Sequence, residues 1–138
     1  MTASAEPVER TSVLVFRVRF YETDLMGIVH HANYFRYFEL GRVDYLKRRG
    51  ITYADSIAKG LHLPVVSADA RFRAPLRFDD EVSMTTRLTS LRSHSLVFEY
   101  ELARGDVAVA SGETRLAMVD AEHKLIRIPP EMVEALRE

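Results

Sequence analysis

The chain has 138 residues, 47% of them apolar and 28% charged, with a formal net charge of −1. That balance fits one globular domain able to bury its own core, and it excludes a disordered or membrane-embedded chain. A near-zero charge gives no drive toward nucleic acid or anionic lipid, and the lack of cysteine removes disulfides, thiolate catalysis and cysteine-based zinc sites.

The opening stretch MTASAEPVERTS is polar and acidic and has no apolar core of the kind a secretory leader needs, so a cytoplasmic protein is expected. Residues 1–11 read as a loose tail and residues 12–138 as a single domain. From Ser12 to Tyr21 the chain alternates, with Leu14, Phe16, Val18 and Phe20 on one face, which predicts a strand with one buried side. Tyr34, Phe35, Phe38, Arg42, Val43, Leu46 and Lys47 then follow helical spacing, with Asn33 or the position two residues earlier as the expected N-cap and Gly50 as the stop. Such a helix is about 25 Å long at 1.5 Å per residue. Its far end, with Tyr45, Arg48 and Arg49, reads as solvated.

Thr52 caps a short second helix that runs through Ala58 and closes at Gly60. Leu63–Ala74, Glu81–Leu91, Ser95–Arg104 and Val107–Val119 read as strands, the middle two presenting Val82, Met84, Thr86, Leu88 and Leu96, Phe98, Tyr100, Leu102 inward. Arg104-Gly105-Asp106 forms the hairpin turn between the last two strands, and Gly112 marks either a bulge or a close approach. Pro129-Pro130 starts a short terminal helix with Met132, Val133 and Leu136 facing inward. The order predicts an α+β domain in which one five-stranded antiparallel sheet wraps one long helix buried on most sides. Its open sheet edges predict an oligomer, a homodimer or a tetramer built from dimers.

Chemistry concentrates where the first strand meets the long helix, in Tyr21-Glu22-Thr23-Asp24-Leu25-Met26-Gly27-Ile28-Val29-His30-His31-Ala32-Asn33-Tyr34. Asp24 is a carboxylate in the joint, Gly27 a flexible point, and the helix start beyond offers unpaired N–H groups at the positive end of a macrodipole. A carboxylate beside oxyanion donors is the equipment of acyl transfer. His30 and His31 give no metal site by their spacing, because adjacent histidines point apart and no i, i+4 ligand pair supports them. Glu39 on the helix either faces the site or, as the favoured reading, pairs with Arg42 or Arg36, and the stripe Tyr34, Phe35, Tyr37, Phe38 is expected to form core and interface.

The run YETDLMGIVHHANYFRYFELGR, with this element order, resembles the 4-hydroxybenzoyl-CoA thioesterase family of hotdog-fold acyl-CoA thioesterases, and LPVVSADARFRAPLRFDDEV is similar to the family's second and third strands. The resemblance implies a hotdog fold with active sites at a dimer interface. It implies that Asp24 is the catalytic carboxylate and that the N–H of His31, seven residues later, polarises the thioester carbonyl. The Tol-Pal-associated branch has a His at that position and a Tyr before the acidic motif. His31 and Tyr21 match these, with the spacing from Tyr21 to Asp24 one residue shorter. Gly27, Asn33 and Tyr34 border the motif and are expected to contact substrate, and Arg92, Ser93 and His94 occupy the positions that grip the nucleotide of CoA. Only one of those three is reliably cationic, so an acyl-carrier-protein thioester stands beside acyl-CoA as substrate; Arg71 and Arg73 are further cations within reach.

The expected reaction is thioester hydrolysis with no metal and no cofactor apart from the CoA of the substrate, Asp24 acting as base or as nucleophile. Two rivals remain at this point: a hotdog dehydratase acting on β-hydroxyacyl thioesters, and a binding module without turnover.

Overall fold

A computed structural model describes residues 10–137. The expected tail lies outside the described residues up to residue 9, and the first strand, β1, begins at Arg10 and covers Arg10–Arg17. A single 3₁₀ turn, Phe20–Glu22, follows, then α1 (Asn33–Arg48), α2 (Tyr53–Ala58), β2 (Val65–Phe72), β3 (Glu81–Leu91), β4 (Ser95–Arg104), β5 (Val107–Ala117) and α3 (Pro130–Leu136). The strands form one antiparallel sheet in the order β1-β3-β4-β5-β2, with α1 lying across it.

The alternation predicted for β3 and β4 is what the sheet uses. Val82, Met84, Leu88, Leu96, Phe98, Tyr100 and Leu102 are all buried against the helix side. From α1 the answering residues are Tyr34, Tyr37, Phe38, Gly41 and Tyr45, whose three- and four-residue steps make one stripe. Only that stripe is covered. Phe35, Leu40 and Val43 are exposed, which corrects the expectation of a helix buried on most sides: one sheet covers one face of a cylinder.

Two glycines set how closely helix and sheet approach. A Cβ on Gly41 would collide with the Thr86 hydroxyl and with Met84. A Cβ on Gly112 would enter the Phe38 ring, which stacks on Tyr100 with centroids 4.5 Å apart. Gly112 keeps unbroken register with both Tyr100 and Ala70, so it marks a close approach and not a bulge.

Three local readings are corrected. β1 ends at Arg17 and the chain turns, leaving Phe20 74% exposed against Phe78 rather than on the buried face. The N-cap of α1 is Ala32 and makes no side-chain bond, while Asn33 is the first helical residue. The end of α1 is solvated at Arg48 but not at the other two residues: Tyr45 is buried, the Arg49 guanidinium lies 3.5 Å from its ring centre, and Arg49 donates to the Ser12 hydroxyl at 3.0 Å. Arg48 pairs with Asp44 at 2.9 Å and donates to the Val13 carbonyl at 2.8 Å, crossing the free edge of β1. Thr52 does cap α2, accepting from the Asp55 N–H.

Candidate active site

The joint between β1 and α1 is a loop closed on itself. Thr23 and Val29 bridge its two stems, and the Asp24 N–H donates to the Ile28 carbonyl at 2.9 Å. At the tip the Gly27 N–H returns to the Asp24 carbonyl at 2.9 Å with φ of +77°, a conformation that a side chain would strain. The Asp24 carboxylate accepts the Met26 N–H through Oδ1 at 2.8 Å, and its second oxygen has no hydrogen-bond partner among the described residues, on a half-buried side chain. Leu25 and Met26, at the tip, are exposed.

The far stem runs into the helix. The Val29 N–H donates to the Leu76 carbonyl at 2.8 Å and the His30 N–H to the Glu22 carbonyl at 3.0 Å. The Ala32 N–H donates to His30 Nδ1 at 3.1 Å, and those of Asn33 and Tyr34 turn back to the carbonyls of His30 and His31. The His31 N–H, by contrast, finds no acceptor among the described residues. It therefore stands as an unpaired donor at the start of α1, with the exposed His30 and His31 rings beside it stacked 4.3 Å apart, which corrects the expectation that the two histidines point apart. A free N–H at a helix start and a half-free carboxylate in the loop that feeds it are the parts an acyl-transfer site needs.

The other predicted residues are distributed differently. The Tyr21 hydroxyl accepts from Arg19 at 3.1 Å on an exposed side chain. Tyr34 is buried against Phe72 and Tyr37, and that burial raises its hydroxyl above the ordinary tyrosine range. Asn33 spends its amide N–H on the Glu22 carbonyl at 2.8 Å. Ser93 and His94 contact each other, Oγ to Nδ1, at 2.9 Å, in a turn fastened through their carbonyls to Ile128 and Met118. The Arg92 side chain is exposed and forms no ion pair among the described residues. Arg73 donates to the Ser111 hydroxyl, and Arg71 lies opposite Ser111 on the sheet face away from α1.

The two groups of candidates sit at opposite ends of the sheet. Asp24 lies beside the start of β3, and Arg92 follows its end, so the 11 residues of that strand separate them by about 33 Å at ~3.3 Å per residue. A cavity of about 240 Å³ occupies the Arg92 end, walled by Leu46, Ile51, Leu63, Leu116 and Met118, with Glu39 and Arg42 also lining it. Glu39 makes neither of its expected pairs among the described residues.

The thioesterase-like superfamily model matches residues 18–136, nearly the whole described chain. The chain belongs to the thioesterase-like superfamily. Among solved structures, the hypothetical protein TT1821 of Thermus thermophilus is 42% identical with a TM-score of 0.87, covering 91% of this chain and 96% of that one. The DHNA-CoA thioesterase of Staphylococcus aureus is 28% identical with a TM-score of 0.86, covering 91% of this chain and 87% of that one. By sequence, the acyl-CoA thioester hydrolase YbgC of Escherichia coli is 30% identical over 90 residues, 65% of this chain and 67% of that one. The hotdog fold expected from the motif is thus the fold observed, and the expectation of a thioester hydrolase accords with the names that the Staphylococcus aureus and Escherichia coli relatives carry.

Glu22 and Tyr37 are the residues that motif reading passed over. The Tyr37 hydroxyl donates to Glu22 Oε1 at 2.9 Å, and the same oxygen accepts the Arg19 N–H at 2.8 Å. Nothing in a single sequence announces a pair 15 residues apart across a loop; Tyr37 reads only as one more aromatic on a core stripe.

Proposed function

We propose that this chain hydrolyses acyl-CoA thioesters to free acid and CoA, in the manner of the 4-hydroxybenzoyl-CoA-type enzymes, with no resident metal or cofactor. The observation that carries it is the pairing of a half-free Asp24 carboxylate with the unpaired His31 N–H across one closed loop. Asp24 takes a proton from water as the water oxygen bonds to the thioester carbon. The carbonyl oxygen becomes an oxyanion held by the His31 N–H. Collapse of that intermediate breaks the C–S bond, and the departing thiolate takes up a proton from Asp24 or solvent. Oδ1 is held by Met26, so the second oxygen of Asp24 is the one free to receive the proton.

A complete site asks for two chains. β1 has its edge crossed by Arg48, whereas β2 is an open edge with Val65, Val66 and Phe72 exposed. Antiparallel pairing of two β2 edges would reverse the second sheet and bring its Arg92 end to the Asp24 end of the first. The same pairing would carry over an aliphatic cavity suited to an acyl chain. Homodimer and active site are then one assembly.

The experiment that tests the function is thiol release from a panel of acyl-CoAs, read beside hydration of crotonyl-CoA. Thiol release without hydration supports the reading; hydration, or binding without either product, ends it. With a cleaved acyl-CoA in hand, Arg92→Ala is expected to raise KM several-fold with kcat nearly unchanged, and to do little with the matching acyl-pantetheine, which lacks the nucleotide. Equal effects on both substrates would assign Arg92 to structure.

A further inference from the structure

We propose that the Glu22 carboxylate, acting through Tyr37, sets the separation between Asp24 and the His31 N–H, which makes Glu22 a positioning residue for thioester hydrolysis. The inference rests on the thioesterase reading and adds a residue to it.

Glu22 donates its N–H to the Arg19 carbonyl at 3.0 Å and accepts four further hydrogen bonds, which join the parts the site depends on. Its carbonyl accepts the His30 N–H at 3.0 Å and the Asn33 side-chain N–H at 2.8 Å. These tie the near stem of the loop to the residue before His31 and to the first residue of α1. Its carboxylate accepts the Arg19 N–H at 2.8 Å and the Tyr37 O–H at 2.9 Å, which tie the end of β1 to the second turn of α1. Asp24 follows two residues after Glu22, and His31 follows directly after His30. The carbonyl links alone would let the loop swing about the Glu22 backbone relative to the helix. The carboxylate link removes that freedom, because Tyr37 is 1% exposed and its ring is packed 4.8 Å from Phe16. Burial and the bond to Glu22 push the Tyr37 hydroxyl far above the ordinary tyrosine range, so it remains a proton donor to Glu22.

Every substitution at Glu22 keeps its backbone carbonyl links, so the loop itself survives. Glu22→Ala removes both carboxylate bonds, Glu22→Gln keeps an oxygen acceptor, and Tyr37→Phe removes the helix bond alone. An ångström of misplacement at a reacting centre is worth up to about 10²-fold. Glu22→Ala and Tyr37→Phe are each expected to lower kcat by about 10- to 100-fold with KM changed less than about two-fold. Glu22→Gln is expected to recover most of that loss, and the double variant Glu22→Ala/Tyr37→Phe to be no worse than Glu22→Ala, because both substitutions break one link. In spectra of the amide groups, the His31 resonance should move in the Ala and Phe variants and stay in place in the Gln variant. Wild-type kcat in Glu22→Ala, additive losses in the double variant, or a Gln variant as poor as the Ala variant would overturn the proposal. So would a loss that follows only the fraction of unfolded protein. Were the wild-type protein to release no thiol, the thioesterase reading would fail by itself, while the His31 amide would still report whether Glu22 holds it.

Discussion

Asp24→Asn is expected to lower kcat by about 10²–10⁴ while the protein stays folded. The loop explains why folding survives. Asp24 Oδ1 accepts the Met26 N–H, and the amide oxygen of Asn offers the same acceptor, so the turn at Gly27 keeps its geometry. What Asn lacks is a site for the proton of the attacking water. Circular dichroism and single-turnover kinetics on the same sample check both halves: an unfolded variant would make Asp24 a structural cap, and wild-type turnover would remove it from the chemistry. Water labelled with heavy oxygen then separates base from nucleophile. Attack by Asp24 itself would form an anhydride whose opening at the aspartyl carbonyl leaves label on the Asp24 peptide, and label found there would replace the general-base step.

Gly112→Ala is expected to destabilise the protein by about 1–3 kcal/mol, the usual range for overpacking a core. The new methyl would meet the Phe38 ring on one side and, at 2.6 Å, the Asp69 carbonyl oxygen on the other. The ring has nowhere to retreat, because it is stacked on Tyr100, and the carbonyl belongs to the neighbouring strand's backbone. Urea unfolding at a fixed protein concentration measures the shift, concentration being held because association contributes to apparent stability. An unchanged midpoint would show that helix and sheet are free to separate by the width of a methyl group.

The sequence made the sheet legible because its strands alternate with unusual regularity. β3 and β4 are built around the alternations of Val82–Leu88 and Leu96–Leu102 and run one to three residues past them at each end, and the hairpin at Gly105, φ of +58°, sits between two patterned runs. Errors gathered where periodicity is a poor guide. Phe20 continues the alternation of β1, yet the backbone has already entered a 3₁₀ turn, and an apolar residue gives no sign of that change. Tyr45 and Arg49 look like a helix end in water because charge dominates the local composition, while the fold uses the guanidinium as a lid over a buried ring. The Asp24 loop was readable from its own residues, since a carboxylate, a glycine and a helix start lie within a few positions. The Glu22–Tyr37 bond was not, because it depends on how the loop folds back onto the helix.

The placement of Asp24 and Arg92 at opposite ends of β3 has a consequence for mixtures of defective chains. If each site draws its carboxylate from one subunit and its nucleotide clamp from the other, Asp24→Asn and Arg92→Ala damage different halves of the same site. A heterodimer of the two variants gathers both lesions into one site and leaves the other site whole. Chains that are each poor on dilute acyl-CoA should therefore regain activity when they are unfolded together and refolded as a mixture, toward one intact site per mixed dimer. Two variants damaged at Asp24 alone should regain none. Activity that remains the average of the two parents would mean that each chain works with its own two ends, and that the open edge of β2 serves some other contact.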